Sequence, residues 1–522
     1  GKIIPDSKYP LSLICTYLTT PRWYCPRWYH EGIAVFMETW MSGGIGRALG
    51  GYDEMVFRAR QVDQAPLYPI IGLETEGTTI DFQVGVNSYL YGTRFVSYLV
   101  YQYGIERLIN FYNRTDSSSR FYASQFQKIY QKSVKNVWDD WILWEKNFQE
   151  ENINIIKKFP VTDFKSTFDQ SMGSVSRAFY DETLNSFIMA VNYPGKGAHI
   201  QLIQRESGKL KMIAPLESPM LYSLASLAYD QKNKILFVTE NNNDWRSLYK
   251  IDIQTGKRKQ VMDYTRTGEL VFNPSDCSLW GIQAMSGRIS VVRFPHPYDK
   301  IERIYSIPFG ISLFDLDISS DGKYLSATLS HPSGKQELVL YEISQLLKGN
   351  FQHEFIYEFE DNSAMNFTFS KDGNFLIGSS YYTGVSNIYR IRIETKKMEI
   401  LTNSLTGLFR PFEIEKDTIF AFQYNSQGFQ PGILITKPLN DVNAITYLGQ
   451  KVFEKEPSLK DWKLPPAGEI VIQEDSLTDR PYSPFKELSF AGLYPIIEGY
   501  KNTVSWGLHF DFQDYIMLHN LD

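Results

Sequence analysis

The segment PRWYHEGIAVFMETW, residues 26–40, sets two carboxylates, Glu31 and Glu38, seven residues apart on what reads as one helix. Seven residues is almost two turns, so both lie within about 20° of the same face. Carboxylates are a residue type that metals bind, and an ordinary solvent-facing helix glutamate is the plainer reading of Glu31. Gly32 follows Glu31 and lets neighbouring backbone come close. His30 lies about 100° around the helix, which makes it a surface or capping histidine rather than a partner of Glu31. Further along, Tyr89 offers a phenol, a neutral hydrogen-bond donor. Its plainer role is a core tyrosine in a helix full of aromatics. No H-E-x-x-H occurs: the sequences starting at His30 and His353 both lack the second histidine. GGIGRALGGYDE, residues 43–54, has glycines but no preceding buried strand and no Lys-Ser/Thr, so it reads as a mobile loop and not as a phosphate cradle. No nucleophile-elbow motif supports Ser/His/Asp catalysis.

These residues resemble the W-x-x-E-G-x-A helix of gluzincin (peptidase MA-like) metallopeptidases, matched by Trp28, Glu31, Gly32 and Ala34. Tyr89-Leu90-Tyr91-Gly92 is similar to the Y-x-x-G element found downstream in gluzincin aminopeptidases. The resemblance covers residues 11–150 and is specific at the first motif. It implies Glu31 as third zinc ligand, Glu38 as a group orienting the ligands, Tyr89 as oxyanion donor, and zinc as the cofactor that makes a bound water acidic. The chain departs from the family where two histidine ligands and the catalytic glutamate should be. The chain as given is therefore expected neither to retain zinc nor to hydrolyse peptides. Either the missing motif lies upstream of Gly1 in a longer protein, or the domain is a pseudoenzyme.

The elements that must position these groups are helical up to about residue 158. Helices are predicted over 26–41, 88–103, 105–112, 120–131 and 134–156. Trp138, Trp141 and Trp144, spaced by three, form an apolar stripe for core packing. From 159 to 465 the pattern becomes short β-runs between polar turns. Six similar units carry turn aspartates at Asp181, Asp230, Asp276, Asp321, Asp372 and Asp417, about 45–51 residues apart, which is the period of a propeller blade. The Asp-Gly pairs at 321–322 and 372–373 are hairpin signals. These units resemble the repeats of TolB-like and WD-type (WD40-like) propellers, which implies a six-bladed β-propeller; two β-sandwiches are the alternative. Residues 466–484, rich in proline and charge, read as a linker. Residues 485–522 alternate loosely and resemble the entry into an outer-membrane β-barrel of the surface-antigen type, with a tail hairpin as the alternative.

Length fits this division, since 522 residues exceed one core. A net charge of -6 without a basic run excludes nucleic acid as a partner by composition. Of the three cysteines, Cys15 and Cys25 either pair in an oxidising compartment or are two buried thiols. The expected fold class is multidomain, α plus all-β: a helical peptidase-like domain (1–158), a six-bladed propeller (159–465), a linker, and a C-terminal β segment. Two functions fit that plan. One is a fragment of a zinc metallopeptidase-like protein of a Gram-negative cell envelope, its propeller docking a protein or peptide and a missing barrel anchoring it in the outer membrane. The other is a non-catalytic TolB-like binding or scaffold protein, periplasmic or outer-membrane, with a degenerate peptidase domain.

Overall fold

The computed structural model describes residues 25–74, 82–83, 85–113, 121–192, 195–217, 226–240, 246–360, 362–465, 481–500, 503–514 and 516–521. Cys15 and most of the 466–484 linker lie outside them. Seven helices of the N-terminal part are described: α1 (Arg27–Met41), α2 (Gly51–Val62), α3 (Ile70–Glu74), α4 (Asn87–Tyr103), α5 (Ile105–Tyr112), α6 (Tyr122–Tyr130) and α7 (Val134–Ile156). α1 buries Trp28, Gly32, Val35, Phe36 and Trp40 at steps of one to four, a stripe that suits one packed face. α7 is capped by Ser133, whose hydroxyl accepts from the Asn136 N–H at 3.2 Å. Trp138 and Trp141 are fully buried, as the stripe predicts, and the Trp138 indole donates to the Tyr68 carbonyl at 3.1 Å. The second half of 43–54 is not a loop, because α2 begins at Gly51 and buries both Asp53 and Glu54.

Between residues 165 and 435 the chain forms six four-stranded antiparallel sheets in succession, one of them with a short additional strand. Each of the six aspartates picked out in the sequence marks a hairpin turn of a sheet, Asp181 and Asp230 as the last strand residue before it and the other four within it. At five of them the carboxylate accepts a backbone N–H two or three residues on, as with Asp321 and Lys323 at 3.1 Å or Asp372 and Asn374 at 3.0 Å. Gly322 and Gly373, both at φ 72°, take the left-handed position those turns need. The first strands are Ser174–Val175, Ser226–Asp230, Thr267–Asn273, Ser312–Ile318, Met365–Phe369 and Leu408–Glu415. From the second sheet to the sixth, each packs against the next. The ends of this array are joined by Lys165–Ser166, which leaves the helical part and pairs as the fourth strand of the last sheet, Lys165 opposite Ile433. The fold is thus propeller-like β structure with a helical N-terminal part.

The helical part sits on the loops opposite the aspartate turns. Arg58 of α2 is fully buried and donates to the Leu405 and Thr406 carbonyls, both at 2.8 Å, between the fifth and sixth sheets. Phe409 and Tyr424 belong to the helical part's apolar core. After the last sheet the chain returns to that core through the helix Leu448–Lys455, with Leu448, Val452 and Leu459 buried in it.

The C-terminal segment is a long hairpin, Ser489–Tyr500 against Thr503–Gln513, with Trp506 opposite Ile497. Val504, Trp506, Leu508 and Phe510 alternate along one strand and are exposed, Trp506 by 85%. No described helix is long and apolar enough to cross a membrane, which leaves strands unaddressed.

Candidate functional site

The first strands of the six sheets line a channel. In four successive sheets that strand carries a bulge, and the bulged residue is polar and left-handed: Glu269 (φ 50°), Asp315 (φ 56°), Asn366 (φ 53°) and Arg410 (φ 52°). Non-glycine residues hold this conformation at a cost of roughly 1–3 kcal/mol, and bulges re-aim side chains. Here they turn four polar side chains into the channel instead of along the sheet.

Side chains tie the sheets to one another across these bulges. The Glu269 carboxylate accepts the Asp315 N–H at 3.0 Å. Asp315 accepts the Asn366 N–H at 2.5 Å and its side-chain amide at 2.6 Å. Asp317 accepts the Phe369 N–H at 2.8 Å. Arg177, from the first sheet, reaches the fourth: it donates to the Leu316 carbonyl at 3.1 Å and pairs with Asp317. In a succession of six sheets the first and fourth stand opposite, so this pair spans the channel. Two chambers adjoin there and share Arg177: one of about 350 Å³, lined also by Arg246, Glu269, Asp315, Asn366 and Arg410, and one of about 230 Å³ toward the aspartate turns. Burial pushes the Asp315 carboxyl up to about 6, Glu269 adds to the rise, and hydrogen bonds from Asn366 with the charge of Arg410 act against it. Volume and lining suit a small polar ligand or one end of a chain.

The residues singled out by the sequence lie elsewhere, at the crossing of α1 and α4. Gly32 and Gly92, the glycines of the two motifs, meet there backbone to backbone. A Cβ on Gly32 would stand 2.4 Å from the Gly92 carbonyl carbon, and one on Gly92 would stand 2.4 Å from the Trp28 oxygen. Glu31 is one residue from that crossing and half-buried, with Arg27 3.6 Å away. The same guanidinium donates to the Gly85 carbonyl at 3.2 Å and lies 5.7 Å from the Tyr89 ring centroid. Arg27 therefore stands between Glu31 and Tyr89. Glu38 is exposed. His30 is half-buried, edge-on to Tyr29. Among the described residues no group of three His, Cys, Asp or Glu side chains could hold a metal ion. With a guanidinium beside its one candidate carboxylate, this donor set does not fit a zinc shell.

Sequence reasoning missed two groups. One is a buried ionic knot: Arg94 donates to both oxygens of Glu54 (2.5 and 2.8 Å) and of Glu145 (2.8 Å each), and Gln149 bonds both glutamates. The other is the channel. A signal for it exists, because the four bulged residues each stand six or seven positions before a turn aspartate.

No protein family model matches the chain, and no curated protein matches it. Among solved structures it is similar to TolB from Acinetobacter baumannii (14% identity, TM-score 0.35, over 62% of this chain and 72% of that one). A gluconolactonase from Xanthomonas campestris gives 12% identity and a TM-score of 0.40 over 53% and 90%. An oligogalacturonate lyase from Vibrio parahaemolyticus gives 11% and 0.34 over 49% and 76%. The class of this protein, propeller-like β structure bearing a helical part and a polar channel, rests on its own six sheets.

Proposed function

We propose that this chain is a binding protein in which a six-bladed, TolB-like propeller, residues 159–465, takes a protein or peptide segment into its channel. The observation carrying this is the row of four left-handed bulges. They hold polar side chains against a conformational cost that sheet packing alone does not require. On this reading the helical domain, residues 1–158, is a scaffold that fixes the two last sheets through Arg58. The exposed alternation in residues 485–522, past the 466–484 linker, supports a place in a Gram-negative cell envelope, with that segment as the start of an outer-membrane barrel. The peptidase-like reading has the Gly32–Gly92 crossing and the closeness of Glu31, Arg27 and Tyr89 behind it. Its zinc shell is not met by the residues present, so no step is derived through zinc.

The test is retention of synthetic peptides by the full chain. A random pentapeptide pool should be retained by the wild type and lost on Arg410→Glu. The bulge tolerates that exchange, since Glu269 occupies the equivalent place. Equal retention by a folded Arg410→Glu variant would put the site outside the channel.

A further inference from the structure

The acids of the channel are already engaged, and two of its cations are not. Asp317 is paired with Arg177, Asp315 accepts two hydrogen bonds from Asn366, and Glu269 accepts one from Asp315. Arg246 and Arg410 line the same chamber, and neither guanidinium has an ion pair or side-chain hydrogen bond with a described residue. Each is among the residues lining the chamber. Burial lowers the pKa of both; Glu269 opposes this at Arg246, and Asp315 and Glu269 oppose it at Arg410. A guanidinium carries five donors in a fixed planar fork matched to a carboxylate. Two such forks line one chamber with no ion-pair contact to its described carboxylates, close enough to feel the charge of Glu269 and Asp315 but with their donors left for a ligand.

Resting on the binding reading above, we infer that the larger chamber is a carboxylate site, Arg246 and Arg410 gripping a carboxylate of an extended peptide. A volume of about 350 Å³ holds one or two residues of a chain and not a folded domain. The Arg177–Asp317 pair crosses the channel beside it, so a chain end fits better than a loop that must pass through. The carboxylate is then the chain terminus, with an Asp or Glu side chain as the second source of the same chemistry.

Two pools of random pentapeptides, one ending in a free carboxylate and one in a carboxamide, are equilibrated with the full chain and the retained peptides counted by mass spectrometry. A charge-assisted contact of this kind is worth on the order of a ten-fold preference for the free acid. The preference should fall to near unity in both Arg246→Gln and Arg410→Gln. Retention of the amidated pool only where Asp or Glu is present supports the same site with a side chain as source. Equal retention of both pools regardless of acidic residues overturns the carboxylate site while leaving peptide binding intact. Retention of neither pool overturns the binding reading and this inference with it. The wild-type comparison needs no variant to fold.

Discussion

Arg94 and Arg410 are the same side chain put to opposite uses. In the helical part, Arg94 is buried with four hydrogen bonds to two carboxylates, and Gln149 and the Leu448 N–H complete the knot at Glu54. In the channel, Arg410 is half-buried, held out on a left-handed bulge, and unpaired among the described residues. A closed network offers nothing to a ligand; its removal damages the fold. An open one is dispensable to the fold and available for recognition. What separates structural from functional charge here is whether the nearby acids are already engaged.

The contrast breaks most visibly if the knot is cut. Arg94→Met leaves two carboxylates buried together and should lose about 3–5 kcal/mol in urea unfolding, whereas Arg410→Gln should change stability by less than about 1 kcal/mol. Restoring neutrality with Glu54→Gln and Glu145→Gln should return part of the loss. Next in size is the glycine crossing. Gly32→Leu drives a side chain into the Gly92 backbone and should cost about 1–3 kcal/mol or more by the same measurement.

Acidity sharpens the comparison, because one aspartate in each region shifts in the opposite sense. Burial pushes Asp53 of the helical part up to about 6 against the pull of Arg47. Its folded pKa then exceeds its unfolded one, so between pH 4 and 6 the native state binds more protons and stability falls as pH rises. Burial would raise Asp181 too, but hydrogen bonds from Lys234, Tyr229, the Leu184 N–H and Thr183 outweigh it and hold it at about 2. Its contribution is present above pH 4 and is lost as pH falls from 4 toward 2. Unfolding titrations should therefore show Asp53→Asn flattening the slope between pH 4 and 6, and Asp181→Asn flattening it below pH 4. The smallest effect belongs to the C-terminal hairpin. Deleting residues 485–522 should leave the melting temperature of the remainder unchanged and improve solubility by removing the exposed face around Trp506. A drop of several degrees would mean that the hairpin packs on the rest.

How far the sequence was legible follows from which signals are periodic. The six turn aspartates marked the sheets because five of the six hairpins repeat the same local chemistry, and α5 and α7 fall on their predicted limits because their apolar stripes are regular. α2 escaped because Gly50 and Gly51 read as loop and because Asp53, Glu54, Arg58 and Arg60 look solvent-facing, yet all four are buried. A carboxylate that will meet an arginine 40 or 51 positions away in sequence carries no local mark of it. The channel was hidden for a related reason. Glu269, Asp315, Asn366 and Arg410 share a place in their sheets and no residue type, so a search for motifs passes over them. Glu31 and Tyr89 stood out by motif, and the feature that the two motifs share in the structure is the contact between their glycines.

The central claim is that recognition belongs to the channel and not to the crossing of α1 and α4. Pentapeptides bearing a photoreactive group, cross-linked to the full chain and mapped by mass spectrometry, address it directly. The account predicts adducts on channel residues such as Leu270, Asn366 and Phe412, suppressed by unlabelled free-acid peptide. Adducts concentrated around Glu31 and Tyr89, with the channel unmarked, would contradict it.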